Sequence, residues 1–530
     1  MSRESGQSSP GGYAPDMDTR RPLRTLAIAL GTAGLLISGC SSGSSTTSGS
    51  SSGPAATASP VPAALQTFYA QHLSWRDCGV TGFQCATMKA PLDYAKPDSG
   101  EIKLAVSRKT ATGPGKRIGS LLVNPGGPGG SAVGYLQSYA AVGYPAQVRA
   151  RYDMVAIDPR GVARSEPVEC LTGPQMDAFT QVDQTPDDAA EVTALSGAFE
   201  KFATGCEQRS GEILPHVSTV DTARDMDMLR ALLGDDRLNY VGASYGTFLG
   251  ATYAELFPAR VGRLVLDGAM DPSLPSVEMN RDQTAGFDTA FQSFAGDCVK
   301  KADCPLGTTS ASDAANRLKQ FFAGLDAKPI PTGESRMLGE SLATTGVIAA
   351  MYDEAAWPQL REALTTARAG DGSGLLALAD SYYEREPNGT YANLMYANAA
   401  VNCLDLPPAF ASAEAVTEAL PTFAKASPVF GKGLAWASLN CTYWPVRATG
   451  TPHRIKAEGA APIVVVGTTR DPATPYKWAK SLAGQLSSGT LLTYQGDGHT
   501  AYGRGSHCID TAINTYLLEG TPPSDGKKCT

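Results

Sequence analysis

The stretch LNYVGASYGTFLGATYAELFP, Leu238 to Pro258, decides the fold. It opens as a buried strand, passes through Gly242-Ala243-Ser244-Tyr245-Gly246, and continues as a helical pattern stopped by Pro258. The bare pattern G-x-S-x-G carries little weight, because it also occurs from Gly39 to Gly43 and from Gly49 to Gly53, inside a Ser/Gly tract. Those two matches have no strand before them and no helix after them. At Ser244 a strand must turn sharply into a helix, and such a turn leaves no room for a Cβ on residues two before and two after the serine. Gly242 and Gly246 meet that need. The turn also exposes Oγ at the top of a sheet and aims the N-terminus of the next helix at developing negative charge. Ser244 therefore reads as a nucleophile rather than a structural serine in a glycine-rich turn.

Outward from this elbow, short apolar segments alternate with helical patterns, the signature of a parallel sheet with crossover helices. GSLLVNPGG (119–127) and YDMVAIDPRG (152–161) read as strands running into polar turns. TARDMDMLRALLG (222–234) reads as a helix, with Thr222 and Asp225 as its capping box. RVGRLVLDGAMDP (260–272) is the strand after the elbow helix. The strand grammar then stops until APIVVVGTTRDPATP (461–475) and GTLLTYQGDGH (489–499), followed by a last helix at HCIDTAINTYLLEG. The expected organisation is an α/β core over 63–272 and 460–530 with a helical insertion over 273–459, placed to act as a lid.

A nucleophilic serine needs a base and an orienting acid, and in this elbow class they follow in the order Ser, acid, His. His453, His499 and His507 lie downstream. His453 sits in insertion-like sequence and His507 at the start of the last helix. His499 lies in GDGHTAYG, a loop just past the last strand of the pattern, and is the favoured base. Asp471, just past the preceding strand, is the favoured acid over Asp497, which is two residues from His499 and poorly placed to orient that ring. The oxyanion requires two pre-aimed N–H groups. Tyr245, after the nucleophile, supplies one, and Gly127 in NPGGPGGSA supplies the other. No Lys-Ser/Thr pair follows this loop, which excludes a phosphate-binding P-loop.

The first 40 residues read as an export signal: Arg20, Arg21 and Arg24 precede an apolar run from Leu26 to Ile37 that is too short for a stable membrane span. The run ends in Leu36-Ile37-Ser38-Gly39-Cys40, which resembles a bacterial lipobox and makes Cys40 the expected lipidation site. Residues 41–62, almost all Ser, Gly, Thr, Ala and Pro, read as a flexible tether. The expected location is the outer face of the bacterial cytoplasmic membrane. Eleven cysteines less Cys40 leave an even set, which in an exported chain implies disulfides. Proximity in sequence pairs Cys78 with Cys85, Cys298 with Cys304, Cys403 with Cys441 and Cys508 with Cys529, and elimination leaves Cys170 with Cys206. No C-x-x-C pair exists and the five histidines do not cluster with the cysteines, so no metal or other cofactor is expected. The net charge of −8, without a basic block, gives no footprint for a nucleic-acid partner.

The strings NPGGPGGSA, DPRGVARSEPVEC, YVGASYGTFLGATYAELFP, VGTTRDPATP and GDGHTAYG, in this order from about Trp75 to Cys529, resemble the secreted tripeptidyl aminopeptidases and related mycobacterial lipoprotein serine hydrolases of the proline iminopeptidase superfamily. The resemblance implies an α/β-hydrolase fold with a mostly parallel sheet and a large helical lid. It also implies the roles already read for Ser244, Asp471, His499, Gly127 and Tyr245. Cytoplasmic proline iminopeptidases carry a histidine where this chain has Pro125, which weakens any claim of proline specificity. The expected activity is an exopeptidase releasing short peptides from free N-termini, with peptide or protein N-termini as its partners. A carboxylesterase or lipase-like hydrolase would use the same triad, and a catalytically silent surface binding protein would have no use for it. Counting residues from an N-terminus requires a carboxylate to hold the ammonium. The insertion offers Glu354, beside Asp353 in MYDEAAW, and Asp405 with Asn402 in NAAVNCLDLP, where a disulfide at Cys403 would stiffen the loop.

Overall fold

The strand that leads into the elbow, Leu238–Ala243, lies inside a ten-stranded sheet of the computed structural model, which describes residues 59–530. The expected export segment, Cys40 and the expected tether as far as residue 58 lie outside the described residues. In chain order the strands are β1 (Arg76–Asp77), β2 (Gln84–Pro91), β3 (Glu101–Lys109), β4 (Gly119–Asn124), β5 (Tyr152–Ile157), β6 (Leu238–Ala243), β7 (Val261–Asp267), β8 (Ile463–Arg470), β9 (Gly489–Asp497) and β10 (Lys527–Cys529). Their spatial order is β1-β2-β3-β5-β4-β6-β7-β8-β9-β10. Every pairing from β5 to β10 is parallel, whereas β1, β2 and β3 join antiparallel at one edge. This is the expected α/β-hydrolase fold.

The parallel strands read as continuous apolar runs because both of their faces are covered. All six residues of β4 are buried, with Leu121 and Val123 packing into one cluster and Leu122 into the other. In β8, Ile463 and Val465 face one side while Val464 and Val466 face the other. The antiparallel edge was not anticipated from the sequence, although its signal is there. Ile102, Leu104 and Val106 are buried, Lys103 is exposed, and the alternation has the period of two that a strand requires.

The helix before β6 runs Thr219–Leu232, one turn earlier than expected. Ser218 caps it by accepting from Asp221 N, and Thr222 and Asp225 do not form a capping box. Asp225 is instead buried in a bidentate pair with Arg160, whose guanidinium also donates to the carbonyls of Pro91, Leu92 and His216. The Asp-Pro-Arg-Gly run after β5 is thus a brace: Arg160 ties the end of β2 and the turn at His216 to this helix, and Asp158 accepts from Ser131 Oγ and Val133 N to hold the loop after β4.

Between β7 and β8 the chain is helical apart from isolated bridges at Ile330–Leu338 and Arg385–Tyr391. The helix Leu394–Asp405 is pinned to the core along its length. At its start Asn393 donates to the carbonyls of Gly161 and Val168 and accepts from Ala163 N. In its middle Asn398 donates to Pro128 O, and at its end Asp405 accepts from Thr219. The structure joins ten cysteines as Cys78–Cys85, Cys170–Cys206, Cys298–Cys304, Cys403–Cys441 and Cys508–Cys529, and the fourth pair ties the end of this same helix to residues 438–441. No described helix is long and apolar enough to cross a membrane.

Candidate active site

Ser244 occupies the turn between β6 and the helix Tyr245–Leu256, with φ 56° and ψ −125°, a backbone conformation that costs a non-glycine residue ~1–3 kcal/mol. Its surroundings over-determine it. Ser244 N donates to Asp267 O at the end of β7, and Ser244 O accepts from Thr247 N and Thr247 Oγ1. A Cβ on Gly242 would lie 2.3 Å from Gly246 O, and one on Gly246 would lie 3.0 Å from Asn124 O. The glycine at 242 is therefore the stricter requirement of the two.

The loop after β4 comes still closer. A Cβ on Gly126, whose φ is +94°, would lie 2.4 Å from Ala243 O and 2.9 Å from both Ser244 Cβ and Tyr245 N. Gly127 lines the same cavity as Ser244. The N–H of Tyr245, in the first turn of its helix, belongs to the set that helix geometry leaves without an intrahelical acceptor. The Tyr245 N–H is thus next to Ser244 in the chain, and Gly127 borders the same cavity.

Asp471 and His499 follow β8 and β9. His499 Nδ1 lies 2.9 and 3.0 Å from the two oxygens of Asp471, which also accepts from the backbone N–H of Ala473, Thr474 and Thr500. Donation from Nδ1 leaves Nε2 as the acceptor, and Nε2 is buried with no hydrogen-bond partner among the described residues. The ring has room because residue 268 is glycine: a Cβ there would lie 3.2 Å from His499 Cε1. Asp267 secures the histidine loop by accepting from Ala501 N and Tyr502 N. Burial pushes its carboxyl up, partly offset by those donors. The rejected candidates have other partners. Asp497 forms a bidentate pair with Arg470, His453 meets Glu255, and His507 faces Thr511 on the last helix.

The helical stretch supplies the opposite side of the cavity with carboxamides: Asn280, Gln283, Asn398, Asn402 and Asn440. Tyr352 was not anticipated. Its carbonyl accepts from His499 N at 2.8 Å, and its ring stands edge-on to the imidazole with centroids 5.5 Å apart. Arg504 links the same two loops, donating to His499 O and pairing with Asp353. Nothing in the sequence marks this contact, since 352 and 499 meet only through the tertiary fold.

Of the three residues expected to hold a substrate amine, only Asn402 lines this cavity. Asp405 turns the other way. Its carboxylate is buried, accepts from Thr219 N at 2.8 Å and from Thr219 Oγ1, and through that hydroxyl holds the phenol of Tyr245. Burial pushes its carboxyl up to about 7, against the lowering effect of the Thr219 donors. As the last residue of a helix pinned to the core, it is tied through Thr219 to the elbow and does not line the cavity. Glu354 is exposed and lines a separate surface pocket with Asp353 and Arg504. These two placements correct the reading made from sequence.

Residues 427–529 match the family described as TAP-like protein. The serine protease Hip1 of Mycobacterium tuberculosis is similar at 39% identity over 466 residues, covering 84% of this chain and 87% of that protein. Carboxylesterase B of the same species is similar at 39% over 524 residues, covering 96% and 98%. A tripeptidyl aminopeptidase of Streptomyces lividans is similar at 34% over 475 residues, covering 86% of each. With the α/β-hydrolase sheet and the serine elbow in place, this degree of likeness over most of both chains makes the protein a member of the TAP-like family of serine hydrolases.

Proposed function

We propose that this enzyme is an exported serine exopeptidase that releases short peptides, of about three residues, from free N-termini. Ser244 Oγ attacks the scissile carbonyl carbon while His499 Nε2 takes its proton. Asp471 holds the ring and stabilises the imidazolium. The tetrahedral oxyanion lies against the N–H groups of Gly127 and Tyr245. Collapse breaks the C–N bond, the leaving amine takes the proton from His499, and an ester to Ser244 remains. Water, deprotonated by His499, then attacks that ester; the C–O bond to Ser244 breaks, its oxygen takes the proton back from His499, and the peptide leaves with a free carboxyl group.

The observation that carries the peptidase reading is the carboxamide lining opposite Ser244, since amide side chains match the alternating donors and acceptors of a peptide backbone. The relatives named serine protease and tripeptidyl aminopeptidase support it. The relative named carboxylesterase supports a second reading, cleavage of esters by the same triad. The disulfides support passage to an oxidising compartment, and lipid on Cys40 is part of the same proposal.

A peptide library with free and acetylated N-termini, analysed by mass spectrometry after incubation with the purified enzyme, tests the reading. Release of short N-terminal fragments from free peptides alone is expected, and indifference to acetylation would favour the esterase. The processed N-terminus of the cell-derived enzyme, read on the same instrument, is expected to be a diacylglyceryl cysteine at position 40; a chain still unmodified there would remove the lipid from the proposal.

A further inference from the structure

The cavity over Ser244 runs on into a second one, and Gln283, Tyr382, Asn398, Leu434, Ala437 and Asn440 line both. Among the described residues no carboxylate lines the first. The second has one, Glu340, set among apolar walls that include Phe179, Phe202, Phe287, Ile348 and Met395. Glu340 Oε2 accepts from Thr185 Oγ1 at 2.9 Å. Carboxylate oxygens of Asp183 and Asp326 lie within 4.8 Å of that of Glu340 and of each other, and Asp183 Oδ2 is buried without a hydrogen-bond partner among the described residues. The cation that faces this group is Lys432, and it is already paired with Asp187. Negative charge is therefore in excess at one end of a channel that begins at the serine. Burial, reinforced by Asp326 and Asp183, pushes the Glu340 carboxyl up, which a bound cation would reverse.

The distance suits a short peptide. Glu340 opens the helix Glu340–Met351, and Tyr352 beyond its end touches His499. Twelve residues at a rise of ~1.5 Å place these ends ~18 Å apart. Three extended residues span roughly 10–11 Å, so a tripeptide with a side-chain contact of ~3 Å at each end is of the same order as the length of this helix.

We propose that Glu340 anchors the substrate's free α-ammonium and that the apolar cavity beside it takes the side chains between that ammonium and the scissile bond. This rests on the exopeptidase reading and gives it a ruler. The side-chain preference would then be apolar at the start of the released peptide. The alternative occupant, a divalent cation, would be held by the carboxylates of Asp183, Asp326 and Glu340 and leave the apolar walls beside them without a role.

The test uses the full-length enzyme with Leu-Phe-Ala-aminomethylcoumarin, its N-acetyl form and p-nitrophenyl acetate. Glu340→Gln keeps an acceptor for Thr185 and removes the charge. Its KM for the free-amine substrate should rise ~10- to 100-fold, the loss expected for one charge-assisted contact. Turnover of the ester should stay within about two-fold, the acetylated peptide should remain a poor substrate, and Glu340→Asp should fall between. A folded Glu340→Gln enzyme that still prefers the free amine, or that loses ester turnover equally, would overturn the anchor while leaving the exopeptidase reading intact. A native enzyme with no preference for the free amine would sink both. Calcium-induced stabilisation abolished by Glu340→Gln would make the cluster a metal site and also overturn the proposal.

Discussion

The two sides of the cavity are built by different rules. On the core side, each proposed catalytic group sits just past the carboxyl end of a parallel strand: Gly127 after β4, Ser244 after β6, Asp471 after β8 and His499 after β9. Parallel strands deliver these ends to one edge of the sheet, so a short motif is enough to announce each group. On the helical side, Asn280, Tyr352 and the pair Asn398 and Asn402 come from three different helices or their ends, with no shared motif. Two buried aspartates make the contrast concrete. Asp471 and Asp405 both accept backbone N–H groups, yet one meets the ring of His499 and the other the hydroxyl of Thr219. The lesson is that an acidic residue beside a cavity is defined by the element it packs against, more than by its distance along the chain from the serine.

The sharpest way to break this comparison is on the core side. Ser244→Ala and His499→Ala should each lower kcat by ~10⁴- to 10⁶-fold, and Asp471→Asn by about 10⁴-fold, without moving the thermal midpoint by more than a few degrees. Steady-state kinetics with active-site titration measures this, and a His499→Ala enzyme with substantial turnover would dissolve the core-side assignment.

A smaller effect is expected from the loop after β4. Gly126→Ala places a methyl 2.4 Å from Ala243 O at a positive φ, so the loop must withdraw from the elbow. Turnover should fall ~10²- to 10³-fold, as for loss of one oxyanion donor, with a modest drop in melting temperature. Unchanged kcat would show that this loop does not position a donor.

The smallest effect is expected where the helical wall meets the elbow. The unfolded Asp405 carboxyl titrates near ~4, and the folded one is pushed up to about 7 with Asp221 and the Tyr245 phenol as its titratable neighbours. Between those values the folded chain holds a proton that the unfolded chain has lost, so this group's contribution to stability is present below pH ~4 and is lost as pH rises through about 7. Asp405→Asn should therefore gain ~1–3 kcal/mol relative to the native chain between pH 4 and pH 8 in urea titrations. Activity on free-amine peptides and on esters should change equally, by no more than a few-fold. A selective loss on free-amine peptides would return Asp405 to the substrate and erase the distinction drawn here.

What the sequence by itself determined is local. A strand, a glycine-flanked serine and a helix in immediate succession permit one sharp turn, and the strand-end positions of Asp471 and His499 follow from the same short-range grammar. Neighbouring cysteines could pair because short loops close easily. Even the antiparallel edge is legible in the alternation of Ile102, Leu104 and Val106. The tertiary structure alone decided what lies across the cavity. Whether a helical residue faces substrate or core depends on how the helix is rotated and pinned. For Leu394–Asp405 that is set by Asn393 on the Gly161 loop, Asn398 on Pro128 and Asp405 on Thr219, contacts that span 186 to 270 positions in sequence. No periodicity encodes such separations, because the free energy that selects them comes from burying polar groups with partners on distant elements.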